Sequence, residues 1–372
     1  MTSHEDPRLL CSLAYPEQDP AGRRELLGRI LVSQAQEYCQ GLSRRFGQAI
    51  AARSSGLSEL LAERSKRECS HAEALGFPIP YHRQYFGAPD FDPVWPAAAT
   101  ALHLHALGQP IEFEATFSRP RALLAGHQLA SQVARVQLCG GALSAWDAAG
   151  KIASWQPLER AESDALGVLI VGERALAGTP FENQRGWPEP NEVEITDNLR
   201  RALAALEHYA PAYSSWVLDV LRYVVPLAPP GPTLRTSHSV KGLAGVVFMS
   251  FPGSAMHTAE TLVHECAHQI YHLAEEWFRL DNGRDHNTYH SHFVNKQRPI
   301  DRLLIAFHAF ANIVLFYRSC LDAGAPFADE CRRLIAKDLP HVDEFRRHLR
   351  ASCGLTRAGR ALCEPLFERV FA

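Results

Sequence analysis

Leu262-Val263-His264-Glu265-Cys266-Ala267-His268 sets two imidazoles four residues apart with a carboxylate beside the first. On a helix, positions i and i+4 share a face, so both rings can reach a single metal ion. Glu265 stands roughly 100° around the helix axis from His264. It is poorly placed to join His264 as a ligand and better placed as an acid or base acting on a metal-bound molecule. The flanking residues predict a helix from Thr258 to Leu273. Thr258 is its expected cap, and Glu260 suits the helix dipole in the first turn. Leu262, Val263, Cys266, Ile270 and Leu273 form an apolar side, and the neighbours Val263, Cys266, Ala267 and Gln269 carry no charge, as a dry metal site requires. The competing reading is a core helix whose histidines are satisfied by hydrogen bonds.

Two histidines hold a metal weakly, so a third protein ligand is expected. Tyr271 and Ala274 occupy the glycine and histidine places of the metzincin extension, which excludes that class. Glu275 and Glu276 lie too near along the same helix, and no glutamate follows until Glu330, which argues against a thermolysin-like peptidase. His272, His286, His290, His292 and His308 remain. His272 sits about 6 Å beyond His268 along the axis, and His286, His290 and His292 fall in a polar loop. His308 lies inside the apolar run Leu303 to Asn312, where a buried imidazole needs a partner. It is either the third ligand, delivered by a second helix packed on the first, or a core histidine bonded to a backbone carbonyl. Arg298, just before Pro299 at the entrance to that second helix, is either a bidentate clamp for an acidic substrate or co-substrate or one half of a surface ion pair.

The whole chain bounds these readings. Its 372 residues suffice for one or two domains, and 46% hydrophobic with 21% charged residues is ordinary for a globular enzyme. A net charge of -3 gives no support to nucleic-acid binding. The nine cysteines are scattered without a CxxC pair and read as reduced, mostly buried thiols. Met1 to Asp6 is polar, no long apolar stretch follows, and no continuous apolar run reaches membrane-span length. The expectation is a cytoplasmic protein with no membrane and no nucleic-acid partner. Its oligomeric state is not legible.

Periodicity predicts an α+β fold, predominantly α-helical. Helical spacing covers 24–76, with a proline-rich loop over 77–97 and a short helix over 98–107. A small, mainly antiparallel sheet is expected in the middle, from Ile111 to Phe117, Val133 to Leu138, Lys151 to Trp155 and Leu166 to Val171. A loop follows over Pro180 to Pro190. Thr196 looks like the cap of a helix through His208, and Pro211 restarts a helix ending before Pro226. The prolines from Pro226 to Pro232 suggest a boundary, giving an N-terminal region 1–235 and a metal-binding region 236–372, or one continuous domain. Gly242 to Ser250 reads as a strand. Helices are expected over Arg302 to Leu321, 327–349 and 357–371, with the metal helix packed on the first of them.

From about Ser237 to Arg318, a quarter of the chain, the sequence resembles the HExxH-motif peptide-modification proteins of ribosomal peptide biosynthesis. The resembling features are a Ser-rich strand, Pro252-Gly253, the motif itself, Tyr289 and Ser291, Arg298-Pro299, and His308-Ala309-Phe310-Ala311-Asn312. After Ser291 the chain reads His292-Phe293-Val294, where many members carry a Ser-Pro-aromatic-Arg form. The resemblance implies an iron(II)- and 2-oxoglutarate-dependent hydroxylase acting on a side-chain β-carbon of a ribosomally made precursor peptide. It places iron on His264 and His268 with His308 as third ligand, Glu265 as the nearby acid or base, and 2-oxoglutarate near Arg298, Tyr289 and Ser291. Two alternatives stand beside it. One is a zinc metallopeptidase with Glu265 as general base. The other is a metal-binding peptide-recognition protein without catalysis.

Overall fold

The structure, a computed structural model, describes residues 6–66, 91–125, 128–162, 167–171, 192–227, 235–251, 253–291 and 295–372. The proline-rich loop over 77–97 falls mostly outside these residues. The Pro180 to Pro190 loop, most of the Pro226 to Pro232 segment, Pro252 and His292 to Val294 also lie outside them.

The fold is α+β and mainly helical. A 3-10 turn over Pro7–Leu13 leads into α1 (Pro20–Ala51) and α2 (Ser55–Arg64), then α3 (Val94–Ala106). A long hairpin follows, β1 (Phe113–Ala125) and β2 (Gln128–Cys139), with β3 (Ala142–Trp146) and β4 (Gln156–Pro157) both pairing β2 in one antiparallel sheet. The second sheet contains β5 (Glu159–Glu162), β6 (Gly167–Ile170), β7 (Tyr223–Pro226), β8 (Ser237–Ser239) and β9 (Val246–Met249). Its order is β5-β6-β7-β9-β8, parallel through β6, β7 and β9 and antiparallel at both ends. Between β6 and β7 come α4 (Glu192–Tyr209) and α5 (Pro211–Leu218). The C-terminal part contains α6 (Ala255–Trp277), the hairpin β10 (Tyr289–Ser291) and β11 (Lys296–Arg298), and then α7 (Ile300–Asp322), α8 (Ala328–Ala351) and α9 (Arg357–Phe371).

Several local expectations are corrected. Lys151 to Trp155 is no strand; only Ile152 makes an isolated bridge, to Trp146. Thr196 lies inside α4, buried, rather than at its cap. The helix from Pro211 stops at Leu218, and Tyr223-Val224-Val225-Pro226 is a fully buried parallel strand. A short continuous apolar run carries no period to separate strand from helix, and the β-branched pair decides for strand once both faces are covered.

Two large cores and a smaller one hold these layers. The first packs the C-terminal half of α1 (Tyr38, Leu42, Ile50) with α2, α3 and the inner face of the antiparallel sheet (Phe113, Phe117, Val133, Val136). The other large core joins the 3-10 turn, the N-terminal half of α1 (Leu26, Leu27, Ile30), α4 to α9 and one face of the mixed sheet (Val224, Val247, Met249). The smaller core fills the opposite face of the mixed sheet with Val225, Val246 and Phe248, against Ala122 and Leu129 of the hairpin. Helix α1 therefore runs through both large cores. Residue 235 falls between strands of one sheet, with β5 to β7 before it and β8 and β9 after it. Among the described residues, α7 is long and apolar enough to cross a membrane, but 72% of its apolar window is buried inside the protein. It packs against α6, α8 and α9 as a core helix.

Candidate metal site

Helix α6 starts one turn earlier than its sequence suggests. Ser254 is the cap, its hydroxyl accepting from His257 N–H at 3.4 Å. Thr258 lies inside the helix and donates its hydroxyl to Asn198 Oδ1 at 2.7 Å, while Asn198 Nδ2 donates to the Gly253 carbonyl at 2.9 Å. These bonds tie the helix start to α4. The apolar side (Leu262, Val263, Cys266, Ile270, Leu273) is buried as expected. Gln269 fixes the helix to the mixed sheet, donating to the carbonyls of Val246 at 2.8 Å and Leu243 at 3.2 Å.

His264 and His268 share one face of this helix, and their Nε2 atoms stand 2.9 Å apart. The rings meet edge to face with centroids 4.5 Å apart, and Phe310 of α7 lies edge-on to His264 at 5.2 Å. Both rings are half-buried. Burial pushes His268 well below the usual histidine range, with the neighbouring imidazoles of His264, His272 and His308 adding to the effect. A neutral imidazole pair is the form that binds metal. With metal–nitrogen bonds of about 2.1 Å, ligands at right angles would place their nitrogens about 3.0 Å apart and tetrahedral ligands about 3.4 Å apart. The observed separation fits two adjacent corners of a six-coordinate ion. Without an ion, it fits one ring donating its N–H to the other.

Glu265 is 2% exposed, and its Oε2 has no hydrogen-bond partner among the described residues. An unpaired carboxylate oxygen in the interior is costly and suggests a ligand, water or proton acting there. Glu265 lies within electrostatic reach of His238 of β8, whose ring lies flat on Phe248 with centroids 4.8 Å apart. Burial lowers the His238 pKa, and the charge of Glu265 opposes that shift. The sequence alone did not bring His238 to the site. The local signal was the Ser-rich stretch Ser237-His238-Ser239, which the resemblance marks as a strand without saying which helix it borders.

His308 does not join the pair. Its Nδ1 stands 3.2 Å from the Ala267 carbonyl and its Nε2 3.0 Å from the Leu13 carbonyl. Burial holds its pKa down at about 4, so the ring is neutral at pH 7 and has one N–H to share between two oxygens. Both nitrogens face backbone carbonyls and one of them carries the N–H, so the expectation of a third ligand here is replaced by the core-histidine reading. Among the described residues no group of three His, Cys, Asp or Glu side chains gathers around one point. His272 is turned to Glu275, with Nδ1 to Oε2 at 3.2 Å. His290 Nε2 lies 3.1 Å from Asn295 Oδ1, and His292 lies outside the described residues.

The expected co-substrate residues share one hairpin, with Tyr289 directly opposite Arg298 and Ser291 opposite Lys296. Tyr289 is committed elsewhere: its hydroxyl donates to Asp285 Oδ2 at 2.7 Å. Ser352 donates to the same oxygen, and its hydroxyl is the main reason the Asp285 carboxyl is held below the usual range. Through Asp285, Tyr289 and Ser352 thus anchor the 281–291 loop to the C-terminal end of α8. Ser291 is buried. Arg298 is half-buried and makes no ion pair with a carboxylate among the described residues, so its fork remains available to an acidic ligand.

Two ion pairs frame the site along α6. Arg235 meets Glu260 at 3.1 Å, and Lys241 meets Glu275 at 3.3 Å. They place the two ends of the segment carrying β8 beside the two ends of the His264–His268 stretch. The chain matches no protein-family model, and no curated protein matches it.

Proposed function

We propose that this chain is a metal-dependent enzyme acting on peptides, and specifically an iron(II)- and 2-oxoglutarate-dependent hydroxylase of a side-chain β-carbon in a ribosomally made precursor peptide. The observation that carries it is the 2.9 Å approach of the His264 and His268 Nε2 atoms, a separation suited to adjacent corners of a six-coordinate ion. His264 and His268 would hold the ion, and no third protein ligand joins them among the described residues. When bound, iron(II) with 2-oxoglutarate and oxygen supplies the oxidising power to hydroxylate an unactivated carbon. Arg298 binds a carboxylate of the co-substrate through its two-pronged guanidinium. Glu265, enclosed beside the pair, holds or moves a proton at Oε2, and the apolar packing of α6 against α7 keeps water away from the rings' inner side. Tyr289 and Ser291 serve as supports of the hairpin that presents Arg298.

A zinc hydrolase is the second reading, favoured by the unpaired Oε2 of Glu265, the atom a general base would use. Metal analysis of anaerobically purified protein, followed by incubation with iron(II), 2-oxoglutarate and air, separates the two. Succinate formation that depends on His264 and His268 supports the hydroxylase. New amino termini released from a mixed peptide pool with zinc, and no succinate with iron, replace it with the hydrolase.

A further inference from the structure

Glu260 of α6, Tyr317 of α7 and Asp338 of α8 form an enclosed polar cluster, joined by Arg235 from the segment before β8. Asp338 is 4% exposed and Tyr317 is fully buried. Asp338 Oδ1 and the Tyr317 hydroxyl make no well-aligned hydrogen bond among the described residues. The phenol still senses both acids: burial pushes its pKa up, and the charges of Glu260 and Asp338 push the same way. Arg235 meets Glu260 at 3.1 Å, so those two charges balance. An ionised Asp338 then leaves one enclosed negative charge over. The charged groups that reach it are Lys337 and His341 from its own helix, Arg235, and Glu260 from α6. Lys337 is exposed to solvent. Burial raises the Asp338 pKa and Glu260 adds to the rise, against the opposing pull of Lys337, His341 and Arg235. A carboxyl group so placed keeps its proton in preference to its charge.

We propose that Asp338 is a proton-operated contact between α8 and α6: protonated, it settles against Glu260 and Tyr317, and on losing the proton it repels Glu260, one helical turn before His264. The protonated acid carries a hydroxyl donor for the oxygens around it, whereas the ionised form offers acceptors only. The two helices are also tied nearby, because His257 of α6 lies 3.2 Å from Glu330 of α8. The repulsion therefore acts across a junction that is held close. Glu260 and His264 share one face of α6, so a push on the first is felt along the stretch that carries the histidine pair. The inference does not depend on the metal reading, since its members bind no ion in it.

The test uses the full chain and Asp338→Asn, which keeps the shape and is neutral at every pH. Unfolded aspartate releases its proton near pH 4, and the folded residue holds it to higher pH, so wild-type stability falls as pH rises between the two values. Urea denaturation between pH 4 and 8 gives the folding constant of Asp338→Asn relative to wild type. That ratio is expected to grow by up to about tenfold per pH unit and to level off where folded Asp338 ionises. Infrared spectra of the folded chain at about pH 5, where an ordinary aspartate is ionised, should show a carboxylic-acid band that Asp338→Asn removes. Glu260→Gln, compared with the double change Glu260→Gln, Asp338→Asn, should bring the levelling-off to lower pH. A ratio that does not change with pH, or a band untouched by Asp338→Asn, overturns the inference. A levelling-off that Glu260→Gln leaves in place shows Asp338 insulated from α6 and overturns it as well.

Discussion

His308 Nδ1 stands 3.2 Å from the carbonyl oxygen of Ala267, the residue immediately before His268. The contact stiffens the turn of α6 that carries the second candidate ligand. Through its other nitrogen the same ring reaches Leu13, so the N-terminal 3-10 turn, α6 and α7 meet at one imidazole. His308→Ala is therefore expected to lower stability by about 2–4 kcal/mol, from lost packing and stranded carbonyls, and to leave zinc affinity within a few-fold of wild type. Chemical denaturation and metal titration on the same preparation check both parts. Loss of metal binding in a folded variant would restore His308 as a ligand.

The same ring gives a pH signature. Its folded pKa, about 4, lies below the unfolded value of 6.5, so the unfolded chain takes up the proton first. The stability due to a neutral His308 is full above about pH 6.5 and is lost as pH falls toward 4, at most about 3 kcal/mol across that window. His308→Gln should flatten this part of the stability–pH curve, as measured by urea midpoints between pH 4 and 7.

Glu265→Gln keeps the shape of the side chain and removes its charge. Turnover is expected to fall by roughly 100-fold or more if Oε2 moves a proton, with metal affinity changed little. Stability should hold or rise, because a buried unpaired carboxylate is no longer required. Unchanged turnover would remove the acid–base role.

His264→Ala and His268→Ala each leave a single imidazole on the shared face. Either change should reduce metal affinity by at least 100-fold while the far-ultraviolet circular dichroism stays helical. Equilibrium dialysis against zinc and iron(II) measures the first effect.

Arg23 is fully buried and pairs with Asp219 at 2.7 Å, while donating to the Pro16 carbonyl at 2.6 Å. Removing one partner of such a pair strands the other charge, so Arg23→Ala should cost about 3–5 kcal/mol. The double change Arg23→Leu, Asp219→Asn should recover much of that loss in thermal denaturation.

The helices were legible where the apolar period was long. The expected span 357–371 matches α9 residue for residue, and 302–321 lies within two residues of α7 at each end. Strands were legible where alternation was clear, as in Ile111 to Phe117 within β1, and Val133 to Leu138 falls in β2, whereas β3 (Ala142–Trp146) was missed and placed instead over Lys151 to Trp155. Tyr223 to Pro226 was missed because a strand buried on both faces shows no alternation. The i, i+4 spacing correctly put His264 and His268 together, since helix geometry alone fixes that relation. Nothing local distinguishes a histidine aimed at a metal from one aimed at a carbonyl. His308 faces Leu13, nearly three hundred positions away in the chain, and that contact exists only after folding. His238 was hidden for the same reason.

Helix α1 gives the chain no seam at which to be cut. A fragment starting near residue 236 would forfeit Leu26, Leu27 and Ile30, the oxygen of Leu13 that His308 leans on, and the inner strands β6 and β7. What remained would expose greasy surface along α6 and α7 and clump. The histidine pair is thus a property of the whole polypeptide, and trimming toward the motif would destroy the very geometry being sought.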